Sequence, residues 1–334
     1  MYSLRYLTSI VVITFFLTLS GCAHAPQPML VPMPLTPPPA RPLHKVKVAL
    51  VLSGGGARAL AHAGVIEVLE KNHIPVDLIV GSSAGSIIGA LYADEPNADK
   101  LREKIIALNK WDLIELNWKS GVKMFWQLRG PVEGNALRCF LQKNMKAYHF
   151  DDLHIPLAVV TTDVHHGDAF VIRSGPLVPA IHASSAVPMV FSPVQIYGRT
   201  LVDGGVASPV PVEIAKQFQP DIIIAVDIGT NPDHGSVKNA YQLGMRSLHI
   251  AYYKLSDWQN KAADIVIHPA VDQFGMFDDH ANEHLYQAGQ QAAFAALPQI
   301  QQLLEAKQIP SKRRPSSTCE NERVDFNFVI KCND

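Results

Sequence analysis

The sequence predicts one α/β domain, a three-layer α/β/α sandwich around a mostly parallel central sheet. Two patterns lead there. Short apolar runs with strand character alternate with segments of helical spacing, and the first two runs are joined by a helical segment, which makes that pair parallel with a right-handed crossover. A third observation is compositional: 334 residues with 48% hydrophobic and 18% charged content can bury a sizeable core, which argues against disorder. Lys+Arg 29 against Asp+Glu 30 leaves a net charge of −1, so the electrostatic footprint of a nucleic-acid binder is missing. Four cysteines without a CxxC pair exclude a disulfide-stapled miniprotein, and offer neither a zinc site nor a redox dithiol.

Residues 1–21 place Arg5 before an apolar run at 10–17 and end in Leu19-Ser20-Gly21, the layout of a secretory signal. The run is short of the roughly 20 residues a membrane crossing needs. With Cys22 the segment resembles the lipobox of bacterial lipoproteins, which implies a lipidated Cys22 as membrane anchor. Ala23, where Asp tends to retain such proteins at the inner membrane, points to the outer membrane in a host that has one. Residues 22–45 carry Pro26, Pro28, Pro32, Pro34, Pro37, Pro38, Pro39 and Pro42, a density that blocks helix and sheet pairing and reads as an extended spacer.

The folded body is expected at 46–308. Its first strand is 46–53, an almost unbroken apolar run. A helix over 58–72 follows, with Leu60, Val65, Val68 and Leu69 at helical spacing, then a strand at 76–81 and a helix at 85–93. Further strands are predicted at 156–162, 169–173, 194–196, 200–202, 222–226 and 265–267, and helices at 99–109, 134–146, 177–184, 210–217, 239–257 and 283–306. In the tail, 309–334, Cys319 and Cys332 flank a strand-like stretch and are placed to close a disulfide loop in an oxidising compartment. Cys139, on a predicted helix among Leu137, Phe140 and Leu141, reads as a buried free thiol.

Two glycine-rich turns carry the chemistry. The second strand ends in Gly81-Ser82-Ser83-Ala84-Gly85, a G-x-S-x-G at a strand-to-helix junction. Flanking glycines let the turn tighten so that the Ser83 hydroxyl stands proud at the positive end of the next helix. Read alone, the same serines serve equally well as an ordinary helix cap. The first strand ends in Gly54-Gly55-Gly56-Ala57-Arg58, three glycines baring backbone N–H groups at a helix start. One βαβ crossover separates the turns, so both belong at the carboxyl ends of neighbouring strands. Gly54, Gly56 and Ala59 also satisfy the G-x-G-x-x-A of a dinucleotide-binding turn, but the acid expected at the end of the second strand is replaced by the serine turn.

A third element, Asp203-Gly204-Gly205, follows a short strand. Glycine loop, serine elbow and Asp-Gly-Gly in this order make residues 46 to about 304 resemble the patatin-like phospholipase family, with support from 180–188 and 221–227. The resemblance implies Ser83 as nucleophile, Asp203 as its partner, and residues Gly54, Gly55, Gly56, Ala57 and Arg58 as an oxyanion loop. It implies hydrolysis of phospholipid or lysophospholipid esters without metal or cofactor; oligomeric state is not readable. Ala59 stands where the family often has glycine, and its methyl suits helical dihedrals.

An unperturbed carboxylate, with a pKa near 3.9, is a weak base for a serine hydroxyl. The competing mechanism is a Ser-His-Asp triad using His249, His268, His280 or His284 of the 14 histidines, although in that fold the elbow normally follows several strands. A reading of another class is a lipid-binding lipoprotein without turnover; retention of both Ser83 and Asp203 speaks against it. His165-His166 reads as a solvated turn, His62 as a helix-surface residue, Arg58 as half of an ion pair, and Asp163 and Asp227 as loop-fixing carboxylates. Trp111, Trp118 and Trp126 mark either a cap over acyl chains or plain packing.

Overall fold

The computed structural model describes residues 34–106, 132–232, 236–274 and 281–310, and every element below lies in the unit that begins at Leu35. The expected signal, Cys22, the Trp111–126 stretch, His280 and the Cys319–Cys332 loop lie outside the described residues.

Eight strands form one sheet: β1 (Val48–Leu52), β2 (Leu78–Ser82), β3 (Leu157–Asp163), β4 (Ala169–Ile172), β5 (Val194–Ile196), β6 (Arg199–Asp203), β7 (Ile222–Val226) and β8 (Ile265–Ile267). The helices are α1 (Leu60–Lys71), α2 (Ala84–Asp94), α3 (Ala98–Ile106), α4 (Asn135–Asn144), α5 (Leu177–Ser184), α6 (Val212–Lys216), α7 (Ala240–Asn260) and α8 (Asn282–Ala306). Every predicted strand and helix is present among them.

The parallel run β8-β7-β1-β2-β3 is the scaffold. All residues of β1, β2, β3 and β7 are buried, because helices cover both faces and no position along these strands meets water. Ala49, Val51, Val80, Val160 and Ala225 form one face with Val212 and Ile214 of α6. On the other face Leu52, Ile79 and Leu157 reach α2 at Gly89, where an added Cβ would stand 2.9 Å from Ile79.

The registry of β3 sets up the site. Its first half pairs in parallel with β2, so that Ser82 lies across Val160, while its last residues pair antiparallel with β6, so that Asp203 lies across Thr161. Since β4 takes the opposite edge of β3 from Val159 to Thr162, β2 and β6 must share one edge and meet there end to end. Two strands running towards each other thus bring the ends of the serine and aspartate motifs onto adjacent residues of a third.

Helices α1 and α8 cross in backbone contact. A Cβ on Gly64 would lie 2.0 Å from the Tyr286 carbonyl oxygen, and one on Gly289 would lie 2.0 Å from that of Ala61. Packed against α8 and flanked by α2 and α3, α1 is buried from Leu60 to Leu69. His62 is therefore a core residue with 0% exposure, correcting its expected place on a helix surface.

Part of the proline-rich stretch lies along the body. Ser174 donates to the Pro38 carbonyl at 2.5 Å, and a Cβ on Gly198 would fall 3.3 Å from the Leu35 side chain, so the folded unit takes in residues whose composition reads as spacer. The physical reason is that an extended proline segment, though poor in donors, still offers its carbonyls to neighbouring side chains. Cys139 also departs from expectation: it is half-buried and disulfide-bonded.

Candidate active site

Ser83 sits between β2 and α2 with φ 52° and ψ −126°, a conformation that costs a non-glycine residue on the order of 1–3 kcal/mol. Three bonds hold it there. Its N–H donates to Ser184 Oγ at 2.9 Å, and its carbonyl accepts from the Ser86 N–H at 2.8 Å and the Ser86 hydroxyl at 2.6 Å. Ser184 in turn donates to the Val160 carbonyl at 2.6 Å, tying the elbow to β3. The flanking glycines serve space rather than dihedral freedom. A Cβ on Gly81 would come 2.7 Å from the Ser86 Cα, and one on Gly85 would come 2.3 Å from the Leu52 carbonyl oxygen.

Ser83 Oγ donates to Asp203 Oδ2 at 2.5 Å. Asp203 is 0% exposed, and its Oδ1 accepts from the Gly205 N–H at 2.7 Å and from the Tyr252 hydroxyl at 3.1 Å. Thr162 steadies the turn by donating to the Asp203 carbonyl at 2.8 Å and accepting from the Ala207 N–H at 3.1 Å. Gly204 is required by contact, since a Cβ would stand 2.1 Å from the Val160 carbonyl oxygen. Burial pushes the Asp203 carboxyl up to about 6 from its ordinary 3.8, against the downward pull of bonds from Ser83, Gly205 and Tyr252. A carboxylate with that affinity for a proton is a better base towards serine than the unperturbed group would be.

The glycine loop divides its work. Gly54 donates its N–H to the Pro209 carbonyl at 3.0 Å, which anchors the loop, whereas Gly55 and Gly56 line a narrow cleft of ≈ 30 Å³ beside Ser83. Gly56 has φ 62°, and Ala57, Arg58 and Ala59 continue into a tight 3₁₀ turn in which Ala59 takes helical dihedrals without strain. Peptide orientation follows from the carbonyls. Ser53 Oγ donates to the Gly54 carbonyl at 3.2 Å and Arg58 Nε donates to the Gly55 carbonyl at 3.1 Å. In a trans peptide the N–H points opposite its carbonyl, so these two bonds turn the Gly55 and Gly56 N–H groups away from Ser53 and Arg58.

Arg58 is buried, and its other donor engages the Thr230 hydroxyl; among the described residues it forms no ion pair within contact distance, correcting the expected role. Burial lowers its pKa to about 10, with Asp272 and Asp227 acting the other way from further off. His62 bonds the Ser53 carbonyl through Nε2 at 2.9 Å, beneath the loop, and burial pushes its pKa down to about 4. Asp163 and Asp227 fix loops as expected. The first takes the His165 N–H, His166 and Arg199, and the second takes the Gly229 N–H and Asn260. Among the described residues no group of His, Cys, Asp and Glu is arranged to hold a metal.

Two of the described histidines of the competing triad engage groups other than Ser83 and Asp203. His249 borders the cleft, but its Nε2 is 3.0 Å from the Thr230 carbonyl oxygen; His268 stands 3.8 Å from Asp227, and His284 is exposed on α8. Ser184, Thr162 and Tyr252 are not legible as site residues in the sequence. Ser184 lies within a stretch that carries the family resemblance, whereas Tyr252 is one aromatic among many on a long helix.

A family model described as patatin-like phospholipase matches residues 50–216, half of the 334-residue chain, and takes in both glycine turns and the Asp-Gly-Gly. The chain belongs to the patatin-like phospholipase family. It is similar to the patatin-like phospholipase domain-containing protein 6 of Mus musculus, 30% identical over 228 residues, which cover 66% of this chain and 16% of that protein. The lysophospholipase NTE1 of Scheffersomyces stipitis is 26% identical over 283 residues, 75% of this chain and 18% of its own. The patatin-like chain thus spans less than a fifth of these relatives. VipD from Legionella pneumophila aligns with 80% of this chain and 68% of its own at 14% identity, with a TM-score of 0.49.

Proposed function

We propose that the chain is a serine acyl-ester hydrolase acting on phospholipids or lysophospholipids. The observation that carries this reading is the hydrogen bond from Ser83 Oγ to the buried Asp203 carboxylate. Asp203 Oδ2 takes the hydroxyl proton as Ser83 Oγ bonds to the ester carbonyl carbon, and the resulting oxyanion accepts from the Gly55 and Gly56 N–H groups. Collapse breaks the ester C–O bond, and Asp203 gives its proton to the departing alkoxide. A water then repeats the sequence on the acyl-serine, releasing the fatty acid and returning the Ser83 hydroxyl. The lipid substrates come from the two relatives, whose names are phospholipase and lysophospholipase.

A fluorophosphonate probe is expected to label Ser83, and both labelling and hydrolysis of defined lysophospholipids should rise with pH through about 6 as Asp203 loses its proton. Folded protein that shows no Ser83-dependent labelling would leave a lipid-binding module without turnover. Loss of activity in His249→Ala with retention in Asp203→Asn would establish the triad instead.

We also propose membrane attachment through a lipidated Cys22, facing the outer membrane where the host has one. Cys22→Ser is expected to move the protein from the membrane to the soluble fraction and to abolish incorporation of labelled palmitate; unchanged fractionation overturns the anchor.

A further inference from the structure

The Asp203 carboxylate is held unequally at its two oxygens, and one of its three donors comes from outside the loops. Oδ2 meets Ser83, while Oδ1 accepts from Gly205 within its own turn and from Tyr252, which α7 brings in from 49 residues away. The Tyr252 ring lies flush on the turn: a Cβ on Gly205 would come 2.6 Å from the ring. One turn earlier on α7, Leu248 and His249 border the same cleft. A helix thus aims this hydroxyl, with little freedom to swing off.

We propose that Tyr252 is a positioning residue of the dyad, which fixes Oδ1 so that Oδ2 stays on Ser83 and which favours the anion able to take the serine proton. The proposal rests on the reading of Asp203 as the base. A single N–H on Oδ1 leaves the carboxylate free to tilt about its terminal torsion, which is broad; a second donor from another element closes that freedom. A phenol also stabilises the carboxylate more than the neutral acid, because bonds to charged acceptors are the stronger ones. Charge offers no substitute among the described residues. Ser83 faces Asp203 from the elbow, Thr162 from β3 and Gly205 from the turn, all neutral; on α7, His249 bonds the Thr230 carbonyl; on α5, His182 lies against Arg138. Burial and the adjoining carboxylate hold the Tyr252 phenol well above its usual range, so it remains a donor throughout.

The test uses the full chain and the rate of Ser83 phosphonylation between about pH 4.5 and 8.5, with lysophospholipid turnover alongside. Tyr252→Phe keeps the ring against Gly205 and deletes only the donor. Its acid limb should move up by about one pH unit, with kcat about tenfold lower and KM nearly unchanged. Site-specific 3-fluorotyrosine at 252, a stronger donor, should move the limb the other way. A Tyr252→Phe profile and rate identical to wild type overturns the proposal, and should that variant fail to fold, an unmoved limb in the fluorotyrosine protein overturns it equally. Absence of labelling in wild type is a different result, striking the dyad itself.

Discussion

Asp203→Asn is expected to lower ester hydrolysis by roughly 10² to 10⁴-fold while raising the melting temperature at pH 7. The two effects share one cause. Burial raises the folded-state pKa of Asp203 to about 6 from 3.8, so the folded protein binds that proton more tightly than the unfolded chain does. The stabilisation that protonation gives is complete below about pH 4 and disappears as pH rises through 6. At pH 7 the fold therefore carries a buried anion, at a cost on the order of 2–3 kcal/mol. Asparagine removes the charge, keeps an acceptor for Gly205 and Tyr252, and turns its amide towards Ser83. For a domain of this size the gain corresponds to about 5–10 °C, and it should vanish in melts run at pH 4. A lower melting temperature at pH 7 would mean that the bonds to the carboxylate outweigh its burial.

Gly85→Ala should be nearly as damaging to activity and worse for stability. Its methyl carbon would sit 2.3 Å from the Leu52 carbonyl oxygen and 2.7 Å from that of Ser53, and neither can yield without shifting β1 or the glycine loop. Overpacking of this kind costs on the order of 3 kcal/mol. Because Leu52 leads into the glycine loop and Gly85 opens α2, the relief pushes the expected oxyanion donors away from Ser83. Urea midpoints read the first effect and Ser83 labelling the second. Gly167→Ala separates the two readouts: a Cβ there meets nothing within 4 Å but φ is +79°, so its midpoint should fall while it labels at the wild-type rate. A Gly85→Ala protein with wild-type midpoint and labelling would show that the contact relaxes without consequence.

The strands and both glycine turns are readable because their signals are local. Short, near-continuous runs rich in Val and Ile suit strands buried on both faces, and glycines clustered at their ends suit turns. What escapes depends on contacts across the chain. The burial of His62 follows from the Gly64 and Gly289 crossing, and neither glycine is distinguishable in sequence from any other helical glycine. Tyr252 reads as a packing aromatic, since nothing nearby in the chain announces a carboxylate. Arg58 reads as half of an ion pair because only its charge is visible in the sequence; its bonds to Gly55 and Thr230 replace that partner. Cys139 sits in an apolar stretch, yet on α4 it is only half-buried and is disulfide-bonded.

The end-to-end meeting of β2 and β6 on β3 means that Ser83 and Asp203, 120 positions apart, become neighbours only after the middle of the chain has folded between them. A chain clipped before Arg199 would possess a serine elbow and no proton acceptor, and a misregistered β3 would hold the two apart as surely as a substitution. On the proposed mechanism, activity is thus a report on complete long-range folding, and incomplete or proteolysed forms are expected to show no Ser83-dependent hydrolysis.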